Sequence, residues 1–526
     1  MTIPVKQIND AELPTQTSSS INFEDVLAET KLGKFNYVVI IVSGLVLATT
    51  LIETLGISYV LPVSNCDIML TTTEKGLIKS IGFIGIIISS HFWGFLADTS
   101  GRRKIMAPAL FSAFIFAVIS SFCTNFWMLI IFRFFTCFFI SAGSATIYAY
   151  VGEFHCNKLR SKAIMAASTL FGIGATCLPL LPWLILNEKW SIEIDAINIT
   201  YKPWRLLIII YAIPDLICSI LLWILPESPK FLLSIGKKEE TLSVLRTMYS
   251  FNTGKSKHDF PVNTLERCFE KNHTIKKLPP SLNPVIKLLK IIQSQTTPLF
   301  SIKYLKSTLL ASTMQFIIFF TMQGLYVWYP YILNTLNEFE KINPNNSSLI
   351  CEIMSFKENK IIFNGYQKDS EIKCQEDFEI KTYITSLILE IFYVVGFTVI
   401  GFSINIIGKT YILLIILSIC GISGLLCNFI TSPTISGYFY TILLAGGITV
   451  PVVNAATVDL YPTNLRAMAV SISLMFGRLG SVAGSNMVGF LLNVNCRMVF
   501  YISGCSLLIA AFFGFFIPKP KENIVI

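Results

Sequence analysis

Long apolar runs alternate along this chain with short polar interruptions, and the runs have the length of helices that cross a bilayer. A spanning helix needs about 20 mostly apolar residues. Twelve stretches qualify: 37–62, 76–97, 105–123, 127–152, 161–186, 204–225, 306–334, 382–404, 410–429, 434–457, 467–492 and 497–517. They are continuous rather than alternating over about 10 residues, which argues against the strands of a membrane β-barrel. The pattern predicts an all-α integral membrane protein. The first run, from Tyr37, is too long for the apolar core of a cleaved leader and reads as an uncleaved membrane helix.

Composition supports this reading. Hydrophobic residues make up 53% of the 526 positions and charged residues only 14%, against roughly 25% charged in a soluble domain. Mean hydropathy is +0.64. The net charge of +9 could point to nucleic acid, but the charges cluster in short loops rather than along a basic face.

The lysines and arginines set an orientation. Arg102, Arg103 and Lys104 fill one short loop, Lys158, Arg160 and Lys162 another, and 226–306 carries fourteen basic against six acidic residues. On the other side, 334–381 has six basic and nine acidic residues, and loop 187–203 is mixed. Both termini and the central segment are therefore expected in the cytoplasm. The sequons at Asn198, Asn345 and Asn346 then fall outside, where glycosylation occurs. The expected organisation is a cytoplasmic segment 1–36, a six-helix bundle 37–225 and a cytoplasmic linker 226–305. A second bundle 306–517 follows, with an outer loop 335–381, and then a tail 518–526. Apolar residues around Phe23, Val26 and Leu27 predict a short amphipathic helix along the inner membrane surface.

The two bundles share a repeat. Gly94 through Arg102 can be laid over Gly401 through Lys409, keeping both glycines, the phenylalanine, an Asp98/Asn405 position and a cation. Glu153 through Arg160 lies over Asp459 through Arg466 at nearly the same offset. Two matches at nearly the same offset indicate parallel six-helix halves with a site between them.

The pattern Gly94-x-x-x-Asp98-x-x-Gly101-Arg102-Arg103 resembles the loop signature of the major facilitator superfamily. Pro226–Glu–Ser–Pro229 is similar to a sequence shared by its sugar-porter, organic-ion and synaptic-vesicle branches. Ser90–His–Phe–Trp–Gly94 and Leu460–Tyr–Pro–Thr–Asn–Leu–Arg466 resemble the synaptic vesicle glycoprotein 2 branch. The resemblance implies two parallel bundles and alternating-access transport of a small organic solute, an organic ion among the options. Transport would be secondary active or facilitative, with coupling to protons or another ion gradient open. The other reading is a vesicle or surface protein that binds partners through its outer loop without transport. The resemblance also implies that the loop signature latches the two halves in one state. In the sequence, Gly94 would permit close helix approach and Gly101 a tight turn. Asp98 would cap a neighbouring helix, and Arg102 and Arg103 would pair with Glu153. Glu153 with Arg160, and Asp459 with Arg466, are candidate clamps. Asn405, Gly408 and Lys409 make a weaker second latch.

Charges inside the spans cost a few kcal/mol if they face lipid, so Glu53, Arg133, Glu390 and Arg478 stand out. Glu53 is the preferred cavity residue, able to bind a cationic group or carry a proton, and the alternative is a pair within its own bundle. Arg133, Gln315, Tyr326, Trp328, Tyr329, Glu390 and Asn454 complete the candidate cavity. Asp215 has no assigned role; the lone His91 could titrate near neutral pH, and the alternative is a structural hydrogen bond. Cys351 and Cys374 share the outer loop and are a candidate disulfide; the alternative is two free thiols. No enzyme signature is present. Gly254–Lys255–Ser256 resembles the end of a phosphate loop, but Tyr249 stands where the first glycine belongs. The sequence offers no metal-ligand spacing. The expected partners are the bilayer, in a plasma or vesicle membrane, and a small organic solute, with no nucleic acid or nucleotide.

Overall fold

The computed structural model describes residues 23–65, 67–195, 199–262, 264–265, 293, 297–343, 347–355, 378–461 and 465–517. Among the described residues, twelve helices are long and apolar enough to cross a membrane. They are α1 (Lys34–Ser64), α2 (Thr72–Ser100), α3 (Arg102–Ser121), α4 (Phe126–Glu153), α5 (Lys158–Leu186), α6 (Pro203–Ile224), α7 (Ile302–Tyr326), α8 (Ile380–Ile407), α9 (Lys409–Leu426), α10 (Pro433–Thr457), α11 (Arg466–Val494) and α12 (Cys496–Gly514).

Packing repeats at a remove of six helices. α1 packs on α5 as α7 does on α11, and α3 packs on α6 as α9 does on α12. The α7–α11 pair comes close enough that a methyl on Gly324 would lie 2.8 Å from the Gly484 backbone, so small residues are required there. The halves meet chiefly along α2–α11 and α5–α8. The repeated loop is also repeated in geometry: Gly101 and Gly408 have φ of 114° and 90°, each ending one helix and starting the next. Only glycine adopts that backbone freely.

The side carrying the α2–α3 turn, the α4–α5 turn and the segment after α6 is termed the linker side, and the opposite one the far side. Four helices are broken within the membrane: α1 at Gly56, α5 at Thr176, α7 at Val327–Trp328, and α10 through a 3-10 turn Ala445–Thr449. A break strands backbone carbonyls, which must find donors away from water. Tyrosines supply them. Tyr211 donates to Leu178 O at 2.6 Å, the acceptor left over because Pro182 four residues on has no N–H. Tyr393 donates to Leu444 O at 2.5 Å, and Tyr440 adds a second donor, at 2.9 Å, to Leu325 O, which already accepts the Trp328 N–H at 3.0 Å.

Three expectations change. The short helix Phe23–Glu29 exists, but Phe23, Val26 and Leu27 are buried against Phe35, Phe154 and Tyr249 rather than laid on a membrane. Cys351 is bonded to Cys496 at the start of α12, not to Cys374, which lies outside the described residues. The span 306–334 is the broken α7, whose continuation Tyr329–Ile342 extends into the segment expected as loop. The far-side segment before α6 also forms a hairpin, β1 (Ile192–Ile194) with β2 (Ile199–Tyr201). The sequon asparagines Asn198, Asn345 and Asn346 lie outside the described residues.

Candidate functional site

Glu53 on α1 and Arg133 on α4 form a buried ion pair of 2.7 Å, and the same guanidinium donates to the Glu53 carbonyl. Glu53 is 1% exposed. Burying two charges is tolerated in low dielectric when they are paired this closely. The pairing is incomplete, since Glu53 Oε1 has no donor among the described residues. Beside it lies a recess of about 10 Å³ lined by Glu53, Arg133, Ile52 and Tyr211, about the smallest space that holds a water. Asp215 on α6 is also fully buried in this cluster. The Thr49 hydroxyl, which donates to Val46 O at 3.0 Å, is the polar neighbour of Asp215, and no other side chain donates to its oxygens among the described residues. The first half thus holds two carboxylates around one arginine.

In the second half the candidates also join in pairs. Gln315 on α7 donates to Asn454 on α10 at 2.7 Å, Tyr326 donates to Glu390 on α8, and Tyr329 meets Thr441 at 2.8 Å. Trp328 donates its indole N–H to Ser485 O at 3.0 Å. These aromatics are buried, so none is a belt residue at the lipid interface.

The far side is sealed between the halves. The Lys79 ammonium of α2 sits 3.4 Å from the Trp328 ring centroid, and Tyr59 of α1 stacks on Tyr383 of α8 with centroids 6.5 Å apart. Phe378 closes on Tyr59 from the end of the outer loop. On the linker side the motif residues do not reach across. Asp98 is 71% exposed in its side chain and pairs with Arg102 four residues on, at 2.9 Å. A Cβ at Gly94 would meet nothing within 4 Å, so the close approach expected there is not made in this state. Phe402 and Ile406, near the linker end of α8, are 78% and 86% exposed.

Within the first half the motif is tightly wired. Arg102 bridges Asp98 and Glu153, the latter at 3.1 Å. Arg103 does not reach Glu153. It donates to Leu222 O and Trp223 O at the end of α6, where cations complement the helix dipole. Arg160 does not pair with Glu153 either. It donates to Gly152 O at 3.0 Å and pairs with Glu24 of the amino-terminal helix at 2.8 Å. Lys409 donates to Ala455 O at 3.0 Å. The side chains of Asn405, Asp459 and Arg466 lie outside the described residues.

Sequence reasoning missed Lys79, Glu227 and the place of Asp215. Lys79 sits only three residues inside the second apolar run, where a lysine is ordinarily a membrane-edge residue. Glu227, within the Pro226–Pro229 stretch, caps α3 from a distance of more than 120 residues. A carboxylate between two prolines at a helix end was the available signal.

Comparison with known proteins agrees with this architecture. The pattern of the Major Facilitator Superfamily matches residues 35–342 and 377–525. Mouse synaptic vesicle glycoprotein 2C is 26% identical over 248 residues, covering 46% of this chain and 34% of that protein. Rat synaptic vesicle glycoprotein 2A is 25% identical over 325 residues, covering 60% and 44%. The matched region is thus less than half the length of either relative. Among solved structures, the partially occluded inward-open xylose transporter XylE from E. coli superposes with a TM-score of 0.61 at 16% identity, covering 92% of this chain and 100% of that one. A bacterial homolog of the human lysosomal transporter Spinster, inward-facing and unoccupied, gives a TM-score of 0.59 at 14% identity, covering 92% and 97%. With two parallel six-helix halves, the repeated glycine turn and this match over most of its length, the chain belongs to the Major Facilitator Superfamily.

Proposed function

We propose that this protein moves a small organic solute across a membrane by alternating access. The observation that carries the reading is the asymmetry of the seam between the halves. Lys79, Trp328, Tyr59 and Tyr383 seal the far side, while Asp98 and Gly94 on the linker side make no contact across the halves. The lysine and arginine bias makes the linker side cytoplasmic, so the state described is closed to the outside. Closing the linker side would bring Asp98 and Gly94 against the other half and release the far-side plug.

Glu53 is the coupling residue in this reading. Its free oxygen and the adjoining recess give a proton a place to arrive, and protonation would loosen the grip of Arg133. Asp215 is a second proton acceptor within the same cluster. The family relationship and the likeness to a xylose transporter support a small organic solute of about sugar size.

The test is uptake into proteoliposomes of labelled monosaccharides, organic cations and carboxylates, with and without a pH gradient. Saturable uptake that the gradient drives, and that Glu53→Gln uncouples while the protein keeps its fold, supports the reading. Absence of uptake for every solute by folded protein contradicts it and favours a binding protein acting through its outer loop.

A further inference from the structure

Three basic residues, Lys79, His91 and Arg478, stand along α2 and α11 inside the membrane. Arg478 stands twelve residues into α11, roughly 18 Å from the linker end of that helix. Its Nη1 donates to Ser90 Oγ on α2 at 2.6 Å, so the contact joins the two halves. Ser90 is fixed in turn, 2.5 Å from Ile86 O and 3.1 Å from Ser141 Oγ. His91, the next residue, lies within electrostatic reach of the guanidinium. Lys79 stands on the same face of α2, about three turns away.

Among the described residues no acid pairs with these cations. Between Glu74 and Asp98 the α2 sequence has none, and α11 has none from Arg466 to Val494. The acids at membrane depth are occupied elsewhere or distant in the fold: Glu53 is held by Arg133, Glu390 by Tyr326, and Asp215 lies in the Glu53 cluster. Among the described residues Arg478 has no ion-pair partner. An arginine at membrane depth without an ion pair is costly and marks a functional position. Its planar fork is suited to two parallel hydrogen bonds with a carboxylate.

We propose that Arg478, with Ser90 and His91, binds the carboxylate of an organic anion between the two halves. This rests on the transport reading and names its substrate class. One guanidinium, one hydroxyl and one imidazole match a single negative charge better than a phosphate dianion. Because Arg478 and Ser90 belong to different halves, the anion is held by both and its release follows when they part.

The test is thermal unfolding of the purified full-length protein with acetate, benzoate and glutarate, beside neutral benzamide, cationic benzamidine and inorganic phosphate. At least one carboxylate should raise the midpoint saturably, by about 2–4 °C, with no rise from benzamide or benzamidine. Arg478→Gln should abolish that rise. Arg478→Lys, which keeps the charge and loses the fork, should weaken apparent affinity about tenfold. Ser90→Ala serves where the Gln variant does not fold, and it too should weaken binding. No rise with any carboxylate, an equal rise with benzamide, a rise with phosphate alone, or full binding by the Arg478 and Ser90 variants would overturn the assignment. Failure here together with uptake of a neutral or cationic solute removes the anion site and leaves transport standing. Carboxylate binding without uptake of any solute does the reverse.

Discussion

Glu227 accepts the backbone N–H of Arg102 at 3.0 Å, and its two oxygens go on to the N–H groups of Arg103 and Lys104 at 3.2 and 3.3 Å. The first turn of α3 lacks a capping side chain of its own because Gly101 precedes it. The acid from beyond α6 fills that role and satisfies donors that a helix start leaves unpaired. It thereby fixes the α2–α3 turn to the end of α6, so that the motif moves with the first half as one body. Glu227→Ala should destabilise by about 1–2 kcal/mol and lower the unfolding midpoint in detergent. Glu227→Gln, which keeps an acceptor oxygen, should lose less. Equal midpoints for all three proteins would show that the cap carries no weight.

Lys79 lies over Trp328 across the sealed side, its ammonium 3.4 Å from the ring centroid. A desolvated cation–π pair is worth about 2 kcal/mol, enough to shift a two-state balance about thirtyfold. Lys79→Met should therefore populate the far-side-open state. Gly76→Cys, placed where Trp328 and Asn486 close over α2, should react with an impermeant thiol reagent much faster when combined with Lys79→Met than alone. An unchanged labelling rate would remove Lys79 from the gate.

The bond between Cys351 and Cys496 ties the outer loop to α12 within the second half, so it leaves the halves free to move. Cys351→Ser and Cys496→Ser should each lower the midpoint, by about 2–4 kcal/mol in stability, and the double variant no further. Non-reducing peptide mapping should recover the 351–496 linkage. Finding Cys351 joined to Cys374 would reverse the assignment.

His155, between α4 and α5, is buried with Nδ1 2.7 Å from Val151 O. Burial pushes its pKa below the ordinary value, and the Arg160 charge adds to this against the opposing Val151 hydrogen bond. The unfolded chain then binds the proton more tightly, so the stability contributed by neutral His155 is present above about pH 6.5. It is lost as the pH falls through that window. His155→Asn should reduce the drop in midpoint between pH 7.5 and 5.5. A drop as large as in the parent protein would mean that His155 is not its source.

Much of this was readable from residues alone, and the rest was hidden for physical reasons. Apolar length fixed the twelve helices because lipid leaves the backbone few alternatives. The Gly101 and Gly408 turns were legible because a positive φ needs glycine. The break in α5 was not, since the compensating group is a tyrosine on another helix, Tyr211 for Leu178. Loop proximity suggested Cys374 for Cys351, whereas the partner stands 145 residues away and comes near only when α12 packs. Glu53 and Arg133 stood out as charges in apolar runs, but that they face each other depends on how α1 meets α4.

The most direct test of the central claim follows the two sides of the seam at once, without a substrate. Spin labels at Thr99 and Ile406 report the linker side, and labels at Met69 and Ile380 report the far side; Ile406 and Met69 are 86% and 92% exposed. Pulsed dipolar spectroscopy on each pair, with and without Lys79→Met, gives the distances between the halves. Alternating access predicts that the substitution lengthens the far-side distance and shortens the linker-side distance together. Distances that stay fixed, or that lengthen on both sides at once, would contradict it.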